Sequence, residues 1–217
     1  QRLYSGGNDA TVNRWDLKTN RLIDSHRPHK RRITSLAMSP DNTHLASGSN
    51  DGKIQVCRLD ENNATHTFDF GHGWILDVAF APDMSTVAGG GFEEIRLWDM
   101  ETGRLLHILE GHRGYVNAIA YSADGKYLVS GGEDGTVRCW DAAQGKEIRV
   151  IRGHTDTVTD VALSEDSRHL YSCSLDTSTR VWALESGQEL MKLISSSDGE
   201  WLATTPEGFY HTSPEGT

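Results

Sequence analysis

One interval governs this chain. Trp15, Cys57, Trp98, Trp140 and Trp182 follow one another at spacings of 42, 41, 42 and 42 residues. The dipeptides Pro28-His29, Gly71-His72, Gly111-His112 and Gly153-His154 keep the same rhythm. A serine column (Ser5, Ser47, Ser130, Ser172) runs four residues ahead of an aspartate column (Asp9, Asp51, Asp134, Asp176). Four columns in step mean one supersecondary unit copied along the chain. Such a unit buries its apolar faces against its neighbours, so the fold is an array of like parts.

Each copy reads as four short strands. In the clearest one, residues 116–122 form an inner strand, and Ala123-Asp124-Gly125 turns the chain into a second strand at 127–131. Glu133-Asp134-Gly135 then reads as a tight Asp-Gly hairpin leading to a third strand at 137–141, with a fourth and outermost at 147–152. The inner strands Ile33-Thr34-Ser35-Leu36-Ala37 and Val158-Thr159-Asp160-Val161-Ala162 are built of small and branched residues. A period in the low forties with Gly-His early and Trp-Asp late resembles the WD40 repeat family. The resemblance covers roughly residues 1–195. It implies an all-β fold, a WD40 β-propeller, with about five blades of a seven-blade ring. The first blade opens inside its second strand, at residues 2–6, and is expected to lack its inner strand. The ring is therefore expected to be completed by residues beyond this chain or by another chain.

Composition narrows the function. The chain has 217 residues, 36% hydrophobic and 24% charged, an ordinary balance for a folded domain. No apolar run approaches the ~18 residues of a membrane-spanning helix. With 21 basic and 31 acidic residues the net charge is −10, which disfavours nucleic acid and anionic membrane as partners. Cys57, Cys139 and Cys173 are odd in number and lack metal-ligand spacing, so a reduced, cytoplasmic setting is expected.

A Ser, a His and an Asp in one unit invite a hydrolase reading. An active site would not be copied into every blade, and no oxyanion hole or G-x-S-x-G elbow accompanies them. In the WD40 family the same residues imply an internal hydrogen-bond chain from Asp to His to Ser to the Trp indole. In blades four and five that chain would be Asp134, His112, Ser130, Trp140 and Asp176, His154, Ser172, Trp182. Neither a catalytic residue nor a metal or cofactor is expected. Blade two departs from the pattern with Cys57 and Arg58 in the Trp and Asp places. Blade three departs further, with Ala88 and Phe92 in the Ser and turn-Asp columns. Apolar packing is expected to hold blade three instead.

The resemblance also implies a peptide-binding face at the Gly-His loops and the turns between strands two and three. By position that face takes Arg32, Thr34, Trp74, Leu76, Tyr115, Asn117, Thr157 and Thr159, with Asn8, Asn50, Gly91, Glu133 and Leu175 before the turn position. Trp74, Leu76 and Phe92 gather on blade three, Tyr115 on the next. Trp and Tyr with an Arg at the edge make a protein or peptide partner the expectation. The basic run Arg27 to Arg32 is too short to argue for nucleic acid. Residues 200–212 carry no repeat column and read as strand, Pro-Glu-Gly turn, strand, with a second Pro-Glu-Gly from Pro214. Residues 196–217 are set apart as a β-hairpin tail, the possible start of a further blade or domain. The tail resembles segments that follow WD40 arrays in bacterial multidomain proteins with caspase-like peptidase neighbours. The second reading is thus a regulatory propeller of a larger enzyme, for example a bacterial caspase-like peptidase, whose catalytic domain lies outside this chain.

Overall fold

The structure is a computed structural model and describes residues 2–59, 64–195 and 199–212. The Pro-Glu-Gly from Pro214, and residues 196–198 at the expected edge of the tail, lie outside them. All described elements are β-strands, in four antiparallel sheets. The first sheet has three strands, β1 (Arg2–Gly6), β2 (Val12–Asp16) and β3 (Arg21–His26). The second has four, β4 (Ile33–Met38), β5 (His44–Ser49), β6 (Lys53–Arg58) and β7 (Ala64–Asp69). Blade three is β8 (Asp77–Phe80), β9 (Thr86–Gly90), β10 (Phe92–Asp99) and the start of β11 (Leu105–Tyr121). The end of β11 opens blade four, pairing Val116–Tyr121 with β12 (Tyr127–Gly132), followed by β13 (Val137–Asp141) and β14 (Lys146–Ile151). The last sheet runs β15 (Val158–Leu163), β16 (His169–Ser174), β17 (Ser178–Ala183), β18 (Glu189–Ser195), β19 (Trp201–Thr204) and β20 (Tyr210–Thr212). The tail hairpin therefore extends blade five at its outer strand, Ser195 pairing with Trp201.

The chain divides into two compact units, 1–110 and 111–217. In the first, Ile54, Val56 and Phe68 of blade two close over Ile75, Val78, Phe80 and Val87 of blade three. In the second, Val129, Val137 and Ile151 of blade four close over Val158, Val161 and Leu170 of blade five. Each core thus lies between blades. The residue after the column serine sets their approach. A Cβ at Gly131 would stand 2.4 Å from a Val158 methyl, and one at Gly48 would stand 2.8 Å from Val78. Only glycine lets the next inner strand come that close.

The Asp134-Gly135 turn differs from the tight two-residue hairpin expected of it. Gly135 is left-handed (φ 70°) and Asp134 is not, and the Gly135 N–H donates to the Gly132 carbonyl at 3.1 Å. Only one position is inverted, as in longer hairpin loops. The reason is Asp134, whose carboxylate accepts the Thr136 N–H at 3.0 Å and the Arg113 N–H at 3.1 Å. The same place is left-handed in every blade, as Ala10, Gly52, Glu93, Gly135 and Thr177, whatever residue occupies it.

Candidate functional site

Two polar layers cross each regular blade. In blade four, His112 meets Asp134 through Nδ1 at 3.0 Å and Ser130 through Nε2 at 2.8 Å, and the Trp140 indole donates to Ser130 at 2.9 Å. In blade five the corresponding distances are 2.9 Å to Asp176, 2.7 Å to Ser172 and 2.8 Å from Trp182. An Nδ1–H tautomer satisfies every partner, since Nε2 then accepts the serine proton. Blade two keeps His29 on Asp51 and Ser47, while Cys57 Sγ bonds the Leu45 carbonyl at 3.7 Å in place of an indole. Burial pushes the His154 and His29 imidazoles below their ordinary pKa, and their aspartates offset this only in part. Burial alone would lift the Asp134 carboxyl. Hydrogen bonds from His112 and Thr136 outweigh it and hold the group well below the usual carboxylate range. Asp176 is held low in the same way, by Ser178 and His154 against its own burial. These histidines are sealed inside the blades, and among the described residues no three metal-ligating side chains cluster.

The second layer was not read from the sequence, although its signal is there. Arg96, Arg138 and Arg180 each stand two residues before the column tryptophan. Arg138 pairs with Glu147 and lies 3.6 Å from Asp134; Arg180 pairs with Glu189 at 2.5 Å and lies 3.9 Å from Asp176. Both glutamates come nine residues after their arginine, where blade three has Leu105. Arg96 therefore turns to Glu94, at 2.7 Å, and caps the Phe70 ring at 4.8 Å. A third column, also unread, is the serine that closes the turn after the inner strands of blades two, four and five, with Ala81 in its place in blade three. Ser39, Ser122 and Ser164 donate to Asp41, Asp124 and Asp166 at 2.6 to 2.7 Å.

Blade three is rebuilt around Phe70. The Phe70 ring lies 5.8 Å from that of Trp98, and a Cβ at Gly91 would stand 2.7 Å from it. The His72 side chain is left 62% exposed, 3.7 Å from Glu94. Around this blade the candidate binding residues split into two kinds. Trp74 and Phe92 are each 44% exposed, and their segments meet: a Cβ at Gly91 would stand 3.1 Å from the Trp74 carbonyl oxygen. Arg32 is exposed, its carbonyl accepting from Asn50, and Leu76 is half-buried with its N–H on Gly90. Thr34 faces inward, its hydroxyl within 3.0 Å of Gly48 O and 2.6 Å of Ile75 O on the next inner strand.

In the second unit Asn117 makes the equivalent stitch, Nδ2 to Val158 O at 2.9 Å, and Thr159 bonds Cys173 O at 3.3 Å. Thr34, Asn117 and Thr159 are the extra residues of a bulge that interrupts the register of each inner strand. Tyr115 and Glu133 hold each other, the Tyr115 N–H donating to Glu133 Oε2 and the Glu133 N–H to Tyr115 O, both at 2.9 Å. Leu175 is 62% exposed.

Comparison with known proteins accords with this architecture. The WD40 family model (WD domain, G-beta repeat) matches residues 20–57, 103–141 and 145–183, together more than half of the chain and leaving out β8, β9 and β10 of blade three. Protein Atg16l2 of Mus musculus is 34% identical over 135 residues, 59% of this chain and 21% of that protein. Apoptotic protease-activating factor 1 of Homo sapiens is 31% identical over 59% of this chain and 11% of its own length. Guanine nucleotide-binding protein subunit beta-1 of Caenorhabditis briggsae is 30% identical over 55% of this chain and 36% of its own. The matched segment thus spans well under two thirds of each relative. With its columns, its four-stranded blades and these matches, the chain belongs to the WD40-repeat family of β-propellers.

Proposed function

We propose that this chain is a non-catalytic interaction module that binds a protein or peptide through blade three, with Trp74 and Phe92 as anchors and Arg32 at the rim. The observation that carries the reading is the joint exposure of Trp74 and Phe92 on touching segments of blade three, where the His–Ser–Asp chain is lost. Interfaces concentrate their energy in such aromatic anchors. The acidic balance supports a protein partner over nucleic acid or anionic membrane, and three unpaired thiols support a cytoplasmic setting. Peptides selected against the chain from a displayed random library test it. Trp74→Ala weakens their binding by about 2 kcal/mol or more with the melting temperature unchanged. A lowered melting temperature with intact affinity makes Trp74 a lid over blade three and refutes the reading. The second reading, a regulatory part of a larger enzyme, is supported by likeness to a protein whose name makes it a protease-activating factor.

A further inference from the structure

A polar cavity of about 270 Å³ opens on blade four, lined by Gly111, Arg113, Asp134, Thr136, Arg138 and Arg152. Three of the six lining residues are arginines, in a chain of net charge −10. Arg138 is only 9% exposed, and its charge is matched by Glu147 and Asp134. Its Nε–H, however, is buried without a partner. In blade five the equivalent Arg180 Nε–H turns to Ser178 Oγ at 3.4 Å, so this donor belongs to the blade interior and the cavity's free cations are Arg113 and Arg152. Arg113 and Arg152 are exposed, and among the described residues neither guanidinium has a carboxylate at ion-pair distance.

Blade five supplies an internal control. It repeats the frame with Arg180, Glu189 and Asp176 at matching places. At the places of Arg113 and Arg152 it has Thr155 and Ile194, the latter fixed by the register Val137↔Ile151 and Thr179↔Leu193. The Arg152 place is Asp69 in blade two, where Ile54 pairs with Phe68. Each place holds a cation in one other blade, Lys30 in blade two and, by the register Val12↔His26, Arg27 in blade one; blade four brings both together.

We propose that this cavity binds a dianionic phosphate group, as inorganic phosphate or as a phosphomonoester on a peptide. Three arginines against the Asp134 and Glu147 carboxylates leave the site at +1, which attracts a phosphate of roughly −1.5 to −2 charge and neutralises part of it. The planar N–H forks of Arg113 and Arg152 suit its oxygens. The site shares no residue with the Trp74 surface, so either proposal can fail without the other.

The test is a titration of the 217-residue chain at low ionic strength with inorganic phosphate, and separately with a short phosphoserine peptide. The expected result is saturable one-site binding, at least tenfold weaker in Arg152→Ala, lost in Arg113→Ala/Arg152→Ala, and unchanged in Arg168→Ala. Thermal melting of each variant establishes that it is folded, and Arg152→Gln serves if the double variant is not. Tenfold tighter binding of the peptide than of phosphate assigns the site to a phosphorylated chain; equal binding assigns it to the free ion. Absence of saturation by both probes, survival of binding in the double variant, or equal loss in Arg168→Ala overturns the proposal.

Discussion

At the scale of single residues, the two aspartate columns do different work. Asp134 joins a buried histidine, a threonine and the Arg113 backbone, whereas Asp41 caps an exposed turn through Ser39 and Thr43, which hold its carboxyl at about 2. Asp134→Ala leaves buried donors unmet at roughly 1–3 kcal/mol each. It is expected to lower the urea midpoint clearly more than Asp41→Ala, and equal midpoints refute the difference. The histidines add a pH dependence of known sign. The folded His29 and His154 resist protonation, while the unfolded imidazole takes up a proton below about pH 6.5. Their contribution is present above that pH and lost as it falls, the same direction as for Asp134 and Asp176 in the carboxylate range. Urea midpoints are expected to fall from pH 7 to pH 5, and His154→Gln is expected to flatten part of that fall. Thr177 gives a prediction of the opposite kind. A β-branched residue at φ 68° is strained by roughly 1–2 kcal/mol, so Thr177→Gly is expected to raise the melting temperature.

At the scale of elements, blade three shows how a repeat survives the loss of its polar chain. Phe70 occupies space that only Gly91 leaves open, and Arg96 closes over the ring. Phe70→Ala is expected to cost about 3–5 kcal/mol in denaturant titrations. Gly91→Ala alone is expected to destabilise, and its effect is expected to shrink sharply in a Phe70→Ala background. Additive effects in that double-mutant cycle refute the contact. The columns made the blades legible because side chains repeat where backbones repeat. Phe70 was not legible, since it sits two places before His72 and matches nothing in the other copies. Arg138 and Arg180 were legible in principle, as an Arg two places before Trp, but their purpose needs the partner glutamates nine residues on. Thr34 and Asn117 read as binding-face residues because the family resemblance puts the positions flanking the first apolar residue of the inner strand there. A bulge turns them toward the next blade, and a bulge is a backbone event that leaves no mark in residue pattern.

At the scale of the whole molecule, the last sheet ends on β20, beside which Phe209 and Tyr210 are about three-quarters exposed. Among the described residues no strand pairs beyond β20, and an edge flanked by aromatics invites pairing between chains. Sedimentation of the 217-residue chain is expected to show mass rising with concentration, and Phe209→Ser with Tyr210→Lys is expected to suppress the rise. A monodisperse monomer across the range refutes it. The three free cysteines have a different consequence. Cys173 is exposed, Cys57 is half-buried in the first compact unit, and Cys139 is buried in the second, where burial pushes its thiol up to about 11. A thiol reagent reacts only with accessible thiolate, so Cys139 waits for its blade to open while Cys173 does not. The chain thus carries its own stopwatch. After the reactions of the accessible Cys173 and half-buried Cys57, the alkylation half-time of Cys139 reports, without any added probe, how often the second unit breathes.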